Sequence, residues 1–262
     1  MDLGIKGKRA LVTGASSGIG RACAIELARE GAIVAVAGRD ETRLRESVEM
    51  TREAGSEGFA ISADLSTMEG CQQAYDAAVA RMGGVDIFVS SAGATQPGPI
   101  LKLDTSVIDE GLGLKVYSAI RISQLVVPGM AAQKWGRIVF IAGAAGTAPD
   151  PENLPVSFAN ITLLNLTRAL STEVARDGIL VNCICPGGVN TPRTWARNQA
   201  RAAREGKTMP QLMAESGRNL PAGRICEPDE IGRVATFLSS EACTYVYSSA
   251  IYMDGGARKA TP

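Results

Sequence analysis

Leu11-Val12-Thr13-Gly14-Ala15-Ser16-Ser17-Gly18-Ile19-Gly20-Arg21 passes from a short apolar run, through three glycines, into a segment of helical period. Ala10–Thr13 reads as a β-strand. After it, Ile19, Cys23 and Leu27 recur at four-residue intervals, the spacing of a buried helical stripe. Gly14 permits a tight turn, Gly18 lets the backbone approach a pyrophosphate, and Gly20 lets the helix pack closely on the sheet. The unpaired N–H groups at the helix start then face the phosphates. Ser16, Ser17 and Ile19 belong to the same predicted cradle.

Outward from this unit the pattern repeats. Strands are predicted at Ile33–Ala37, Gly58–Ser62, Ile87–Ser90, Arg137–Ile141, Leu180–Cys185 and Ala250–Met253. Helices are predicted at Gly20–Glu30, Glu41–Ala54, Thr67–Arg81 and Leu163–Arg176. Such alternation specifies an α/β fold, a doubly wound, mainly parallel sheet of about seven strands with helices on both faces. No composition break or repeat divides the 262 residues, so one dinucleotide-binding domain over 1–262 is expected. The one irregular insertion, 193–220, lies beyond the sixth strand, where a substrate lid would sit.

Composition narrows the function. Formal net charge is +0, which points away from nucleic acid and charged membrane surfaces. No apolar run reaches the roughly 20 residues of a membrane span, and the first residues lack a signal-peptide core, so a soluble cytoplasmic protein is expected. The six cysteines are scattered, and only Cys183 and Cys185 are spaced to share a strand face. With no histidine, the commonest zinc ligand and general base is missing, and no metal site is expected.

The glycine spacing, Gly-x3-Gly-x-Gly, resembles that of the short-chain dehydrogenase/reductase family, and further segments extend the likeness over almost the whole chain. Ser90-Ser91-Ala92-Gly93 resembles the family's Asn-Asn-Ala-Gly. Pro186-Gly187-Gly188-Val189-Asn190-Thr191 matches its Pro-Gly-x-Val-x-Thr, and Gly223-Arg224, Glu227-Pro228, Glu230-Ile231 and Asp254-Gly255-Gly256 match its C-terminal signature. The resemblance implies cofactor contacts from these loops, from Asp64-Leu65 at the adenine, and from position 160 at the ribose. At the end of the second strand, Gly38 carries no carboxylate to repel a 2′-phosphate, and Arg39 offers a planar fork suited to one. NADP(H) is the expected cofactor.

The family's chemistry uses Tyr, Lys, Ser and Asn, and counting from matched neighbours implies none of them here. Asn165–Leu170 anchors the helix that puts Val156 at the Tyr position and Asn160 at the Lys position. Gly136–Gly143 places Gly143 at the Ser position, and Pro128-Gly129-Met130 places Lys115 at the Asn position. Val156 has no proton to exchange, which removes general acid–base help of roughly 10²–10⁴-fold. Lys115 and Asn160 look exchanged between two facing helices. A desolvated Lys115 is then a candidate proton donor, and Asn160 a candidate ribose contact. Ser157, Asp150, Glu152 and Tyr117 are weaker substitutes; Tyr245, Tyr247 and Tyr252 read as packing residues.

Three functions remain open. One is a noncanonical NADP(H)-dependent oxidoreductase acting on a small ketone or alcohol. Another is an inactive subunit supporting an active dehydrogenase, and a third is a non-redox enzyme using the same pocket. The resemblance also implies homo- or hetero-oligomers through the two long helices. In the lid, Arg193, Arg197, Arg201 and Arg204 would form one basic stripe if helical, suited to an anionic substrate such as a coenzyme A thioester, and Trp195 would anchor it.

Overall fold

The computed structural model describes residues 2–93, 95–149 and 151–259, with Ala200 described in its backbone only. Asp150 therefore lies outside the described residues. Seven parallel strands form one sheet in the order β3-β2-β1-β4-β5-β6-β7. They are β1 (Arg9–Thr13), β2 (Ile33–Gly38), β3 (Gly58–Ser62), β4 (Ile87–Ser90), β5 (Gly136–Ile141), β6 (Ile179–Pro186) and β7 (Ala250–Met253). The expected strands all form, to within a residue at either end; the central ones are apolar runs buried on both faces, while the edge strands β3 and β7 are only partly buried.

Side chains alternate between two cores. Leu11, Phe88, Ile138 and Val181 face α3 (Met68–Met82), α5 (Ser118–Ala132) and α6 (Leu154–Val174), where Phe88 and Phe140 meet edge-to-face at 6.4 Å. Val12, Val34, Ile87 and Val139 face α1 (Gly18–Arg29), α2 (Glu41–Glu53) and α9 (Pro228–Leu238). Cys23 and Leu27 are buried as expected, whereas Ile19, at the helix start, is only half-buried.

Two readings of the sequence are corrected. The sixth helix begins at Leu154, nine residues before the predicted start, with Pro155 in its first turn, a position where proline costs no hydrogen bond. The segment 193–220 is not irregular: it folds as α7 (Pro192–Arg204) and α8 (Met209–Arg218). Thr191 and Thr208 cap these helices through their hydroxyls, and Pro192 and Pro210 occupy their first turns. A short helix, α4 (Ser106–Leu112), runs into α5 through a wider π turn at Gly113–Tyr117, which carries Lys115.

At the opposite end of the sheet from the glycine loop, Arg9 clamps β1 to β4. Its Nε donates to Asp86 Oδ2 at 2.8 Å, its own backbone N–H adds a bond of 2.9 Å, and Gln133 donates to Oδ1 at 2.8 Å. Burial raises the Asp86 pKa, but hydrogen bonds from Arg9 and Gln133 outweigh it and leave the carboxyl below its usual value. A depressed folded pKa contributes stability above the unfolded pKa and loses it as pH falls through the folded one. Asp86→Asn is expected to cost about 1.5–3 kcal/mol at neutral pH. In denaturant titrations that deficit should shrink in acid as wild-type Asp86 protonates; a pH-independent deficit would contradict the assignment.

Candidate active site

The cleft opens beyond the carboxyl ends of β1 and β4, where the chain departs to opposite sides of the sheet. Gly14 sits in a left-handed conformation, φ +64°, and a Cβ there would lie 2.6 Å from the Ser91 carbonyl oxygen and 2.7 Å from Ala92 N. Only glycine lets the two loops touch. Gly20 packs as closely on Gly14, 2.4 Å from its carbonyl oxygen by the same measure. Ser17 precedes α1 without capping it through its side chain, leaving the first-turn N–H groups open to an anion.

Gly14, Ser16, Ser17, Gly38, Arg39, Leu65, Ser91, Ala92 and Gly93 all line one cleft. Arg39 is exposed at its rim. Hydrogen bonds from the Ser66 backbone and hydroxyl hold Asp64 below the usual carboxylate range. Gly18 faces Thr191 across the cleft, a Cβ there reaching Thr191 Cγ2 at 3.4 Å, so the loop after β6 closes on the glycine loop. In that loop Val189 bridges to Cys226, while Pro186 ends β6 and the Gly187 N–H donates to Met253. The Thr191 hydroxyl caps α7. This is a cradle that Cβ atoms would fill, and it fits a dinucleotide.

Three of the four positions counted from the sequence meet at one point. Lys115 Nζ donates to Asn160 Oδ1 at 2.5 Å and to the Ala142 carbonyl at 2.9 Å. A Cβ on Gly143 would lie 2.6 Å from Asn160 Nδ2, so the glycine makes room for the asparagine. Val156 is half-buried one helical turn before Asn160 on α6. Burial pushes the Lys115 ammonium down to about 8, and the positive charge of Arg193 acts in the same direction.

Other candidates are elsewhere. Tyr117 is exposed, Ser157 donates back to the Asn153 carbonyl, and Glu152 lies exposed in the loop. The Tyr252 hydroxyl pairs with Thr147 Oγ1 at 3.1 Å, under Arg258, rather than with Lys115 or Asn160. Cys183 and Cys185 do share a face, buried behind Gly143, and hydrogen bonding between them raises the Cys183 pKa.

The segment carrying the four arginines is helical, and two of them have different partners. Arg201 pairs with Glu205 at 2.7 Å, whereas Arg193 donates to the carbonyls of Gly93 and Thr95, both at 2.8 Å. Trp195 Nε1 donates to Asn190 Oδ1 at 2.6 Å, anchoring α7 to the loop after β6. The Arg193 contacts had one sequence signal, its place directly after the Thr191-Pro192 helix start. Among the described residues there is no cluster able to hold a metal and no helix long and apolar enough to cross a membrane.

Residues 14–258 match the family model described as Enoyl-(Acyl carrier protein) reductase. The chain belongs to the short-chain dehydrogenase/reductase family. Its relatives within that family include the D-beta-hydroxybutyrate dehydrogenase of Cupriavidus necator, 33% identical over 254 residues, covering 96% of this chain and 98% of that protein. The 3-oxoacyl-[acyl-carrier-protein] reductase FabG of Pseudomonas aeruginosa is 31% identical, covering 97% and 98%. Among solved members, L-sorbose reductase from Gluconobacter frateurii, complexed with NADPH and L-sorbose, aligns over all of both chains with a TM-score of 0.96 and 31% identity. These short-chain dehydrogenase/reductase relatives differ in their named substrates, so the substrate must be read from the pocket.

The Lys115 amine is expected to titrate near pH 8. After reductive ¹³C-methylation, its NMR signal, assigned by loss in Lys115→Arg, should give that midpoint and move upward in Arg193→Gln. An ordinary lysine midpoint in both proteins would contradict the burial and the influence of the Arg193 charge together.

Proposed function

We propose that this protein is an NADP(H)-dependent oxidoreductase acting on a small ketone or alcohol, in which Lys115 exchanges the proton that a tyrosine exchanges elsewhere in the family. The Lys115–Asn160 hydrogen bond carries this reading. It holds an amine of lowered pKa beside Gly93 in the cleft, while Val156 and Gly143 supply no proton at the positions implied for Tyr and Ser. Bound NADPH would supply the hydride.

The glycine loop and the start of α1 would hold the pyrophosphate, and Arg39 the 2′-phosphate, with Gly38 offering no carboxylate in competition. Solved relatives with NADPH or NADP bound support that choice. Asn160 orients the Lys115 amine, and the Ala142 carbonyl accepts a second hydrogen bond from it. The helices α7 and α8 would serve as the substrate lid of a single domain spanning the chain.

A second reading, an inactive subunit of a larger assembly, draws support from the apolar groove between α5 and α6, lined by Ile120, Val127, Leu166 and Leu170. Activity of the purified chain distinguishes the two. If the second reading holds, turnover appears only with a partner chain and survives substitution of Lys115.

Arg39→Ala is expected to weaken NADPH binding about tenfold or more while leaving NADH binding nearly unchanged, by fluorescence titration. Lys115→Met is expected to lower turnover by roughly 10²–10⁴-fold. Reduction needs the protonated amine and should fall as pH rises through about 8, whereas oxidation needs the neutral amine and should rise there. Full activity in Lys115→Met, or a pH profile flat through that range, would end the reading of Lys115.

A further inference from the structure

We infer that the substrate carries a carboxylate and that Arg193 receives it; this rests on the oxidoreductase reading of the cleft. Gly93 is the shared landmark. Its carbonyl accepts from Arg193 at 2.8 Å, and a Cβ on the same residue would lie 3.1 Å from Lys115 Cδ. Two cationic side chains, one from the π turn and one from α7, therefore converge on a single glycine.

Every hydrogen-bond acceptor recorded for these two cations is neutral. Lys115 donates to Ala142 O and Asn160 Oδ1; Arg193 donates to Gly93 O, Thr95 O and, at 3.5 Å, Thr95 Oγ1. No ion pair involves either among the described residues. Burial lowers the Arg193 pKa, and the next charge acting on it is another cation, Arg197. Several arginines pair with carboxylates, as in Arg9–Asp86, Arg21–Glu46 and Arg224–Glu230, whereas Arg137, like Arg193, donates to backbone carbonyls but does so inside the core, away from the cleft. Two neighbouring cations without a counter-ion favour an anion beside them, and the solvent-exposed side of Arg193 gives that anion access.

The geometry selects the kind of anion. Carbonyls of Gly93 and Thr95 fix the guanidinium plane and leave further N–H donors of the fork unused, the arrangement that suits a planar carboxylate. The cofactor's phosphates have their own places at the glycine loop and Arg39, reached from β1 and β2, whereas Arg193 stands on the helix after β6. Lys115 and Arg193 meet one glycine from two sides, its Cα and its carbonyl, and the inferred substrate presents its carbonyl to the first and its carboxylate to the second. A short oxo- or hydroxy-acid fits.

The test is calorimetric titration of the NADP⁺-loaded protein with pyruvate and acetoacetate, each against its own amide. At least one acid should bind roughly tenfold tighter than its amide, and Arg193→Gln should erase the difference while Arg193→Lys keeps part of it. Overturning results are that neither acid binds better than its amide in the wild type, or that the preference persists in Arg193→Gln. Running the same titrations without cofactor separates the two readings. Absent NADP⁺ binding with an intact acid preference would remove the oxidoreductase reading and leave the carboxylate site standing.

Discussion

Two loops meet at Gly14. The turn after β1 and the segment after β4 approach until the glycine Cα rests against Ser91 and Ala92, and any side chain at position 14 would drive them apart. Everything functional hangs on that contact. It sets the width of the crevice, aims the start of α1 into it, and fixes where Gly93 lies. Gly93 in turn supports the Lys115 stem and the Arg193 guanidinium. The sheet below is held independently, by apolar central strands buried on both faces and by the Arg9–Asp86 clamp at its far end. Stability and function thus occupy opposite ends of the same strands.

The electrostatics at the site follow from placing a lysine where burial disfavours its charge. Asn160 and the Ala142 carbonyl compensate with hydrogen bonds rather than with an opposite charge, so the ammonium stays close to releasing its proton. Had an aspartate taken the place of Asn160, the Coulombic attraction would have raised the Lys115 pKa and removed it from acid–base work near neutrality. A neutral amide orients the amine without fixing its charge.

The sheet was legible because its strands are continuous β-branched and apolar runs separated by helical-period segments, and a pattern of that strength survives reading from the chain alone. The glycine loop was legible for a different reason: Gly14 and Gly20 are demanded by close backbone approach, and Gly18 by its left-handed backbone. The start of α6 escaped because Pro155 looks like a breaker although it sits in the first turn. Pro192 and Pro210 hid α7 and α8 in the same way, although Thr208 and Gln211 spell a capping box. The meeting of Lys115 with Asn160 has no local signature, since 45 residues separate them and the π turn that orients the lysine depends on its surroundings. Only comparison with the family pattern pointed to both positions. Arg193 was grouped with its helical neighbours by spacing, and the fold separated it from them by giving it Gly93 and Thr95 as partners.

The absence of a side chain at position 143 also constrains how this protein can change. A methyl group there would already press on the Asn160 amide, whose other atom holds Lys115. Introducing a hydroxyl residue at 143 therefore disturbs the lysine before it contributes anything of its own. The three positions are thus coupled, and a side chain at 143 requires the Asn160 amide to move.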